Sequence, residues 1–370
     1  MKIIICGPAI DAETEKKLDG ASPAAGRFLN NMVEALIYNG FKVKKAIYIS
    51  YPVIDKSVYD LTGDKQNLVV FKDRYVLPSV IKFRNRLMLD VTQGDIVVFY
   101  NMSYMYFGLA QAVKKKKANP VLMLADFTDY HEETNFVKKI IAGLCEKSFR
   151  RFDSIISLAN FEKGMFKADA KIEILRGGIN FKYFEDIKPP QHSQGGMLTF
   201  MYAGLLSNVT GVDVLLNAMK LVKTQNIKLL ISGKGNLEET VKMHVKKDQR
   251  IEYLGFLDVD EYYKKLNEAN VFINPRNMTL AQNRNNFPSK ILEYLATGRE
   301  IISTKFSGNE DFEGLVEWFD GSEEDLARKI DAMSQNYQNT YKERYRANRE
   351  AAKEYDWNSQ AMRIVRVVNR

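Results

Sequence analysis

Short apolar runs alternate with helix-period segments along almost the whole chain, and this alternation restricts the fold more than any other feature. The runs Lys2–Cys6, Phe41–Ile49, Leu68–Phe71, Asp95–Tyr100, Pro120–Ala125, Ser154–Ser157 and Glu173–Leu175 read as strands. Helix-like stretches lie between them, at Ala24–Tyr38, Pro78–Leu89, Met105–Lys116, Asn135–Arg150 and Asn160–Phe166. Strands that alternate with helices form a parallel sheet covered on both faces. The pattern breaks across Asn180–Gly196, where a Pro pair and a Gly pair interrupt the apolar periodicity. It then restarts, with strands at Leu198–Tyr202, Lys228–Ile231, Ile251–Tyr253, Val271–Asn274 and Glu300–Ser303. The expectation is an α/β chain of two Rossmann-like, doubly wound domains facing a central cleft. Residues 1–184 form the first domain, 185–197 a linker, 198–355 the second domain and 356–370 a closing amphipathic helix. Sheets of this kind bind ligands at the carboxyl ends of their strands.

A length of 370 residues fits two domains, and 45% hydrophobic with 27% charged residues is a globular composition. Two cysteines and three scattered histidines supply neither a disulfide framework nor a metal cluster, so no metal is expected and a reducing cytoplasm is the simplest compartment. No stretch reaches the length of a transmembrane helix. The formal charge of +8 is uneven. Residues 1–185 carry 28 Lys and Arg against 21 Asp and Glu, whereas residues 186–370 carry 26 against 25. A basic half beside a neutral one points to an anionic partner of the first domain. Nucleic acid is not expected, since no recognition helix, zinc finger or aromatic-basic RNA motif is present. In Asn135–Phe152, Phe136, Ile140, Leu144 and Phe152 interleave with Lys138, Lys139, Lys147, Arg150 and Arg151. Such a helix suits an anionic membrane surface, although its apolar stripe serves equally to pack on its own sheet.

The chemistry concentrates in Asn274–Gly298, NPRNMTLAQNRNNFPSKILEYLATG. A strand ends at Asn274, a polar loop follows, and Pro288 opens a helix. The free N–H groups near Ser289 and Lys290 make an anion site to which Lys290 and Arg276 add charge. Glu293 lies three residues after Lys290 on the same face and can accept both hydroxyls of a ribose. An ordinary capped helix with a Lys–Glu pair accounts for the same local pattern.

This segment resembles the donor site of glycosyltransferase family four, the retaining GT-B glycosyltransferases of group 1. Glu293 takes the place of the second Glu of that family's E-x₇-E motif, and Leu295-Ala296-Thr297-Gly298 matches the end of the segment. Leu175–Asn180, Phe200–Gly204, Leu230–Gly235, Leu254-Gly255-Phe256, Ala269–Val271 and the terminal Trp357 helix match other landmarks in order. The resemblance implies that Gly204, Gly233, Arg276, Asn286, Phe287, Ser289, Lys290 and Glu293 bind a nucleotide-diphosphate sugar. That sugar is the donor substrate, and no separate cofactor is implied.

The chain also departs from the pattern. Asn285 stands where the first Glu of E-x₇-E belongs, and Leu205 and Thr210 replace the phosphate-binding Arg and Lys. Arg276, Arg284 and Lys290 are the cations available to replace them. In the first domain, Gly26 closes a small-residue stretch, Gly20–Gly26, that resembles the loop facing the donor. Asp126, Asp129 and His131 follow the strand Pro120–Ala125, where the family places a polar contact to the donor sugar; a capping cluster explains them as well. With Asn285 they are the candidate catalytic residues. Asp258-Val259-Asp260 resembles a metal motif but sits at a helix start and reads as a cap. The implied function is transfer of a sugar, with retention, to a glycan or lipid-linked glycan in bacterial surface polysaccharide assembly. The chain would be cytoplasmic or peripheral at the inner membrane face. The alternative is a non-catalytic subunit of the same fold that binds a glycan or a partner transferase.

Overall fold

The computed structural model describes residues 1–19, 23–63, 66–125, 135–161, 163–191, 196–280, 283 and 287–370. The chain divides into two compact units, Met1–Gly178 with Trp357–Arg370, and Ile179–Asp356.

Unit 1 contains seven strands: β1 (Lys2–Cys6), β2 (Lys42–Ile49), β3 (Leu68–Phe71), β4 (Ile96–Tyr100), β5 (Asn119–Leu124), β6 (Ser154–Ser157) and β7 (Lys171–Ile174). All neighbours pair in parallel, in the order β3-β2-β1-β4-β5-β6-β7. The central strands β1 and β4, KIIIC and IVVFY, are almost wholly apolar because helices cover both of their faces. The helices are α1 (Ala12–Glu15), α2 (Pro23–Tyr38), α3 (Val76–Asp90), α4 (Leu109–Lys115) and α5 (Phe136–Phe149). Phe83 and Leu87 of α3, Leu109 and Val113 of α4 and Phe149 of α5 share one core with the sheet, so these three helices lie on one face. The stretch Asn160–Phe166 forms only a short 3₁₀ turn at Lys163–Met165 rather than a helix.

Unit 2 contains β8 (Leu198–Ala203), β9 (Ile227–Ser232), β10 (Ile251–Gly255), β11 (Val271–Asn274), β12 (Glu300–Thr304) and β13 (Glu317–Phe319). Their order is β10-β9-β8-β11-β12-β13, again parallel throughout. The three-residue edge strand β13 has no sequence counterpart among the expected strands. The helices are α6 (Val212–Leu221), α7 (Glu238–Lys247), α8 (Val259–Leu266), α9 (Lys290–Thr297) and α10 (Glu323–Ala352). Ser322 caps α10, whose first turn carries Glu323, Glu324 and Asp325, as the helix dipole favours. Leu326, Ile330, Tyr337 and Tyr341 of α10 pack into the core of this unit.

The last helix, α11 (Trp357–Asn369), belongs to unit 1. Trp357 sits edge-on to Phe28, ring centroids 5.1 Å apart, and fills space that any side chain at Gly178 would need. Arg363 and Arg370 reach the carboxylate of Glu173 on β7 at 3.1 and 2.7 Å.

Candidate functional site

The sheet order of unit 2 reverses between β8 and β11, and a doubly wound sheet binds its ligand at that switch point. The loops at the carboxyl ends of β8 and β9 are stapled together. The Gly204 N–H donates to the Ser232 carbonyl at 3.0 Å, the Leu206 N–H to Lys234 at 3.0 Å, and the Leu237 N–H to Leu206 at 3.0 Å. Gly233 has a φ of +146°, and a side chain there would collide with the Gly204 carbonyl. Its own carbonyl accepts from the Tyr253 hydroxyl at 2.8 Å. Gly204 and Gly233 are therefore in direct contact, and glycine is required for it.

Arg276 follows β11, and its carbonyl accepts from the Thr304 hydroxyl at 2.9 Å. Burial pushes the Tyr202 phenol at the end of β8 up to about 12, and its hydroxyl donates to the Leu205 carbonyl at 2.6 Å. Asn283 fixes the following loop. Its amide donates to the carbonyls of Val209 and Asn277, both at 2.7 Å, and it is fully buried. Gly211 has a φ of +72° and lets the start of α6 approach the Pro275 carbonyl.

Helix α9 docks over these strand ends through Tyr294. That ring stacks on Phe272 of β11 at 4.3 Å. Ser289 is exposed at the helix start and makes no side-chain cap. Lys290 and Glu293 project from the next turn, 3.9 Å apart. Tyr262 of α8 joins them. Its hydroxyl donates to Glu293 Oε2 at 2.7 Å, the Lys290 ammonium approaches that hydroxyl at 3.3 Å, and the same ammonium lies 4.4 Å above the Tyr262 ring. Burial, with the Glu293 carboxylate beside it, pushes the Tyr262 phenol far above its ordinary value and keeps it a donor. Tyr262 thus orients the carboxylate and holds the ammonium. On the far side it packs edge-on to Tyr263, which stacks on Tyr183 at 4.7 Å.

The structure accordingly gathers Gly204, Gly233, Arg276, Ser289, Lys290 and Glu293 at one end of one sheet. Phe287 is different. Its ring is buried against Phe306 and Phe312, at 5.4 and 5.8 Å, so any ligand contact there falls to its backbone. Gly26 lies in the first turn of α2, within the helical stretch expected from Ala24, and a side chain there would collide with the Ile10 carbonyl. Asp126, Asp129, His131, Asn285 and Asn286 lie outside the described residues. Asp258 caps α8 in a capping box with Glu261, at 2.8 and 3.2 Å. Among the described residues no cluster of His, Cys, Asp and Glu could hold a metal ion. None of their helices is long and apolar enough to cross a membrane.

Residues 198–336 match the family model described as Glycosyl transferases group 1. The whole chain superposes on several solved structures. Anabaena HepE, solved with UDP, is 14% identical over 100% of both chains at a TM-score of 0.72. The lipopolysaccharide outer core galactosyltransferase WaaB is 14% identical over 100% of this chain and 99% of its own, at a TM-score of 0.70. Sucrose-phosphate synthase from Thermosynechococcus elongatus is 12% identical over 100% of this chain and 98% of its own, at 0.71. No curated protein matched the sequence. The chain has the GT-B fold of these structures, and the stretch 198–336 that matches the glycosyl transferase model contains all six gathered residues.

Proposed function

We propose that this chain transfers a sugar, with retention, from a nucleoside-diphosphate donor to a glycan or lipid-linked glycan acceptor at the cytoplasmic face of a membrane. The observation that carries the proposal is the Lys290–Tyr262–Glu293 cluster at the exposed start of α9, beside the stapled glycine loops. The diphosphate would lie at the helix start, neutralised by Lys290 and Arg276. The ribose would lie against Glu293, and Gly204 and Gly233 would let backbone approach the ligand closely. Retention without a protein nucleophile calls for front-face attack, in which the leaving diphosphate takes the acceptor proton. Positioning and electrostatics then supply most of the rate. In this reading Asp126, Asp129, His131 and Asn285 contact the transferred sugar, and no metal or separate cofactor takes part. The solution of HepE with UDP makes uridine the first base to try.

One observation favours a second reading, a subunit that binds without turnover. Leu205 and Thr210 stand in place of two phosphate-binding cations, and the Thr210 hydroxyl is engaged with the Leu205 carbonyl at 2.5 Å and with that of Ser207 at 2.9 Å. Incubating the protein with UDP-, GDP- and TDP-sugars and measuring free diphosphate separates the two. Release of UDP, GDP or TDP supports the transferase. Tight nucleotide binding with no release from any sugar supports the subunit.

A further inference from the structure

Several exposed apolar side chains of unit 1 cluster on two helices. Asn135 to Ile140, the cap and first turn of α5, are all exposed, including Phe136 at 75%, Val137 at 63% and Ile140 at 48%. The fully buried residues of the helix, Ser148 and Phe149, lie at its far end. A groove of about 530 Å³ is lined by Phe136, Ile140 and Leu144 together with Lys139, Lys147, Arg150 and the carboxylate Glu146. The segment Asn135–Phe152 carries five cations and a single carboxylate, Glu146. A second exposed set lies on α3 and its cap, at Tyr75, Leu77 and Ile81, with Arg74, Lys82 and Arg84 among them. Both helices follow strands of an all-parallel sheet and share one core, so their first turns lie on one face at the carboxyl ends of the strands. Exposed apolar surface rimmed by cations marks a contact site. A stripe of this kind suits the boundary between headgroups and acyl chains, and the lysines and arginines complement anionic headgroups.

We propose that the start of α5, together with the start of α3, seats the protein on an anionic lipid surface. This deepens the reading of a membrane-side acceptor and rests on it. The seat would hold the ligand-binding edge of the unit 1 sheet next to the membrane that carries the acceptor.

Flotation of the full chain with vesicles tests the proposal. Vesicles of phosphatidylcholine with phosphatidylglycerol should retain about tenfold more protein than phosphatidylcholine alone, and salt should weaken the difference. The exposed double variants Phe136→Ser/Ile140→Ser and Lys138→Glu/Lys139→Glu should each lose that retention while binding UDP as the parent does. Equal retention on both vesicles, no retention at all, or variants that float like the parent would each overturn the proposal. So would a parent dimer that Phe136→Ser/Ile140→Ser converts to monomer, since the face would then bind a second copy of this chain. UDP titration of the same samples keeps the two readings apart. A chain that floats but binds no nucleotide contradicts the donor site and leaves the lipid seat standing, and one that binds UDP but ignores lipid does the reverse.

Discussion

Tyr262 makes a specific demand at the scale of single residues. It donates to Glu293 and lies beneath Lys290, so Tyr262→Phe keeps the ring and its contact with the ammonium but frees the carboxylate. One such hydrogen bond contributes about 1 kcal/mol, so UDP affinity should fall about fivefold in calorimetry while thermal stability changes little. Unchanged affinity would show that Glu293 is placed by other contacts. Lys290 and Glu293 were legible in the sequence because their spacing sets them on one helix face and the segment resembles a known donor site. Tyr262 was not, because 31 positions separate it from Glu293 and only the packing of α8 beside α9 joins them. The packing of Gly26 against the Ile10 carbonyl and of the Phe287 ring against Phe306 escaped the sequence for a related reason, since both neighbours are distant along the chain.

Among the elements, Arg250 links the start of β10 to the end of α6. Its guanidinium donates to the carbonyls of Met219, Val222 and Thr224 at 2.6 to 3.0 Å and pairs with Asp248 at 2.7 Å. The hydrogen bond from that guanidinium is the main cause holding Asp248 below the usual carboxylate value, against its partial burial. Arg250→Met should cost about 2 kcal/mol near neutral pH, read from denaturant unfolding. A carboxylate with a depressed folded value stabilises the protein above its unfolded value and loses that effect as pH falls through the folded one. The difference between parent and variant should therefore be full above about pH 4 and narrow below it. A gap independent of pH would mean that the bonds to α6, not the ion pair, carry the stability. The alternation of runs made most strands readable here, because each parallel strand buries a continuous apolar stretch. The edge strand β13 escaped because three residues carry no period. Asn160–Phe166 was overread because its apolar residues face the unit 1 core from a short turn rather than from a helix.

For the whole molecule, the chain leaves unit 1 at Gly178 and returns to it at Trp357. Unit 1 then depends on residues distant in sequence, and Trp357→Ala should destabilise it by about 3 kcal/mol. Thermal unfolding should show an earlier transition, with UDP affinity at the folded temperature unaltered. The amphipathic pattern of the last helix was readable in advance, whereas its seat against Phe28 depends on packing that no local pattern encodes. In unit 2, the proposed nucleotide site would be built at one sheet end from Gly204, Gly233, Arg276, Lys290 and Glu293. Calorimetric titration of UDP into the parent, Lys290→Ala and Glu293→Ala tests it most directly. The account predicts saturable binding to the parent and a loss of about tenfold or more in each variant, as removal of a charged hydrogen-bonding partner requires. Variants that bind UDP as tightly as a binding-competent parent would contradict it.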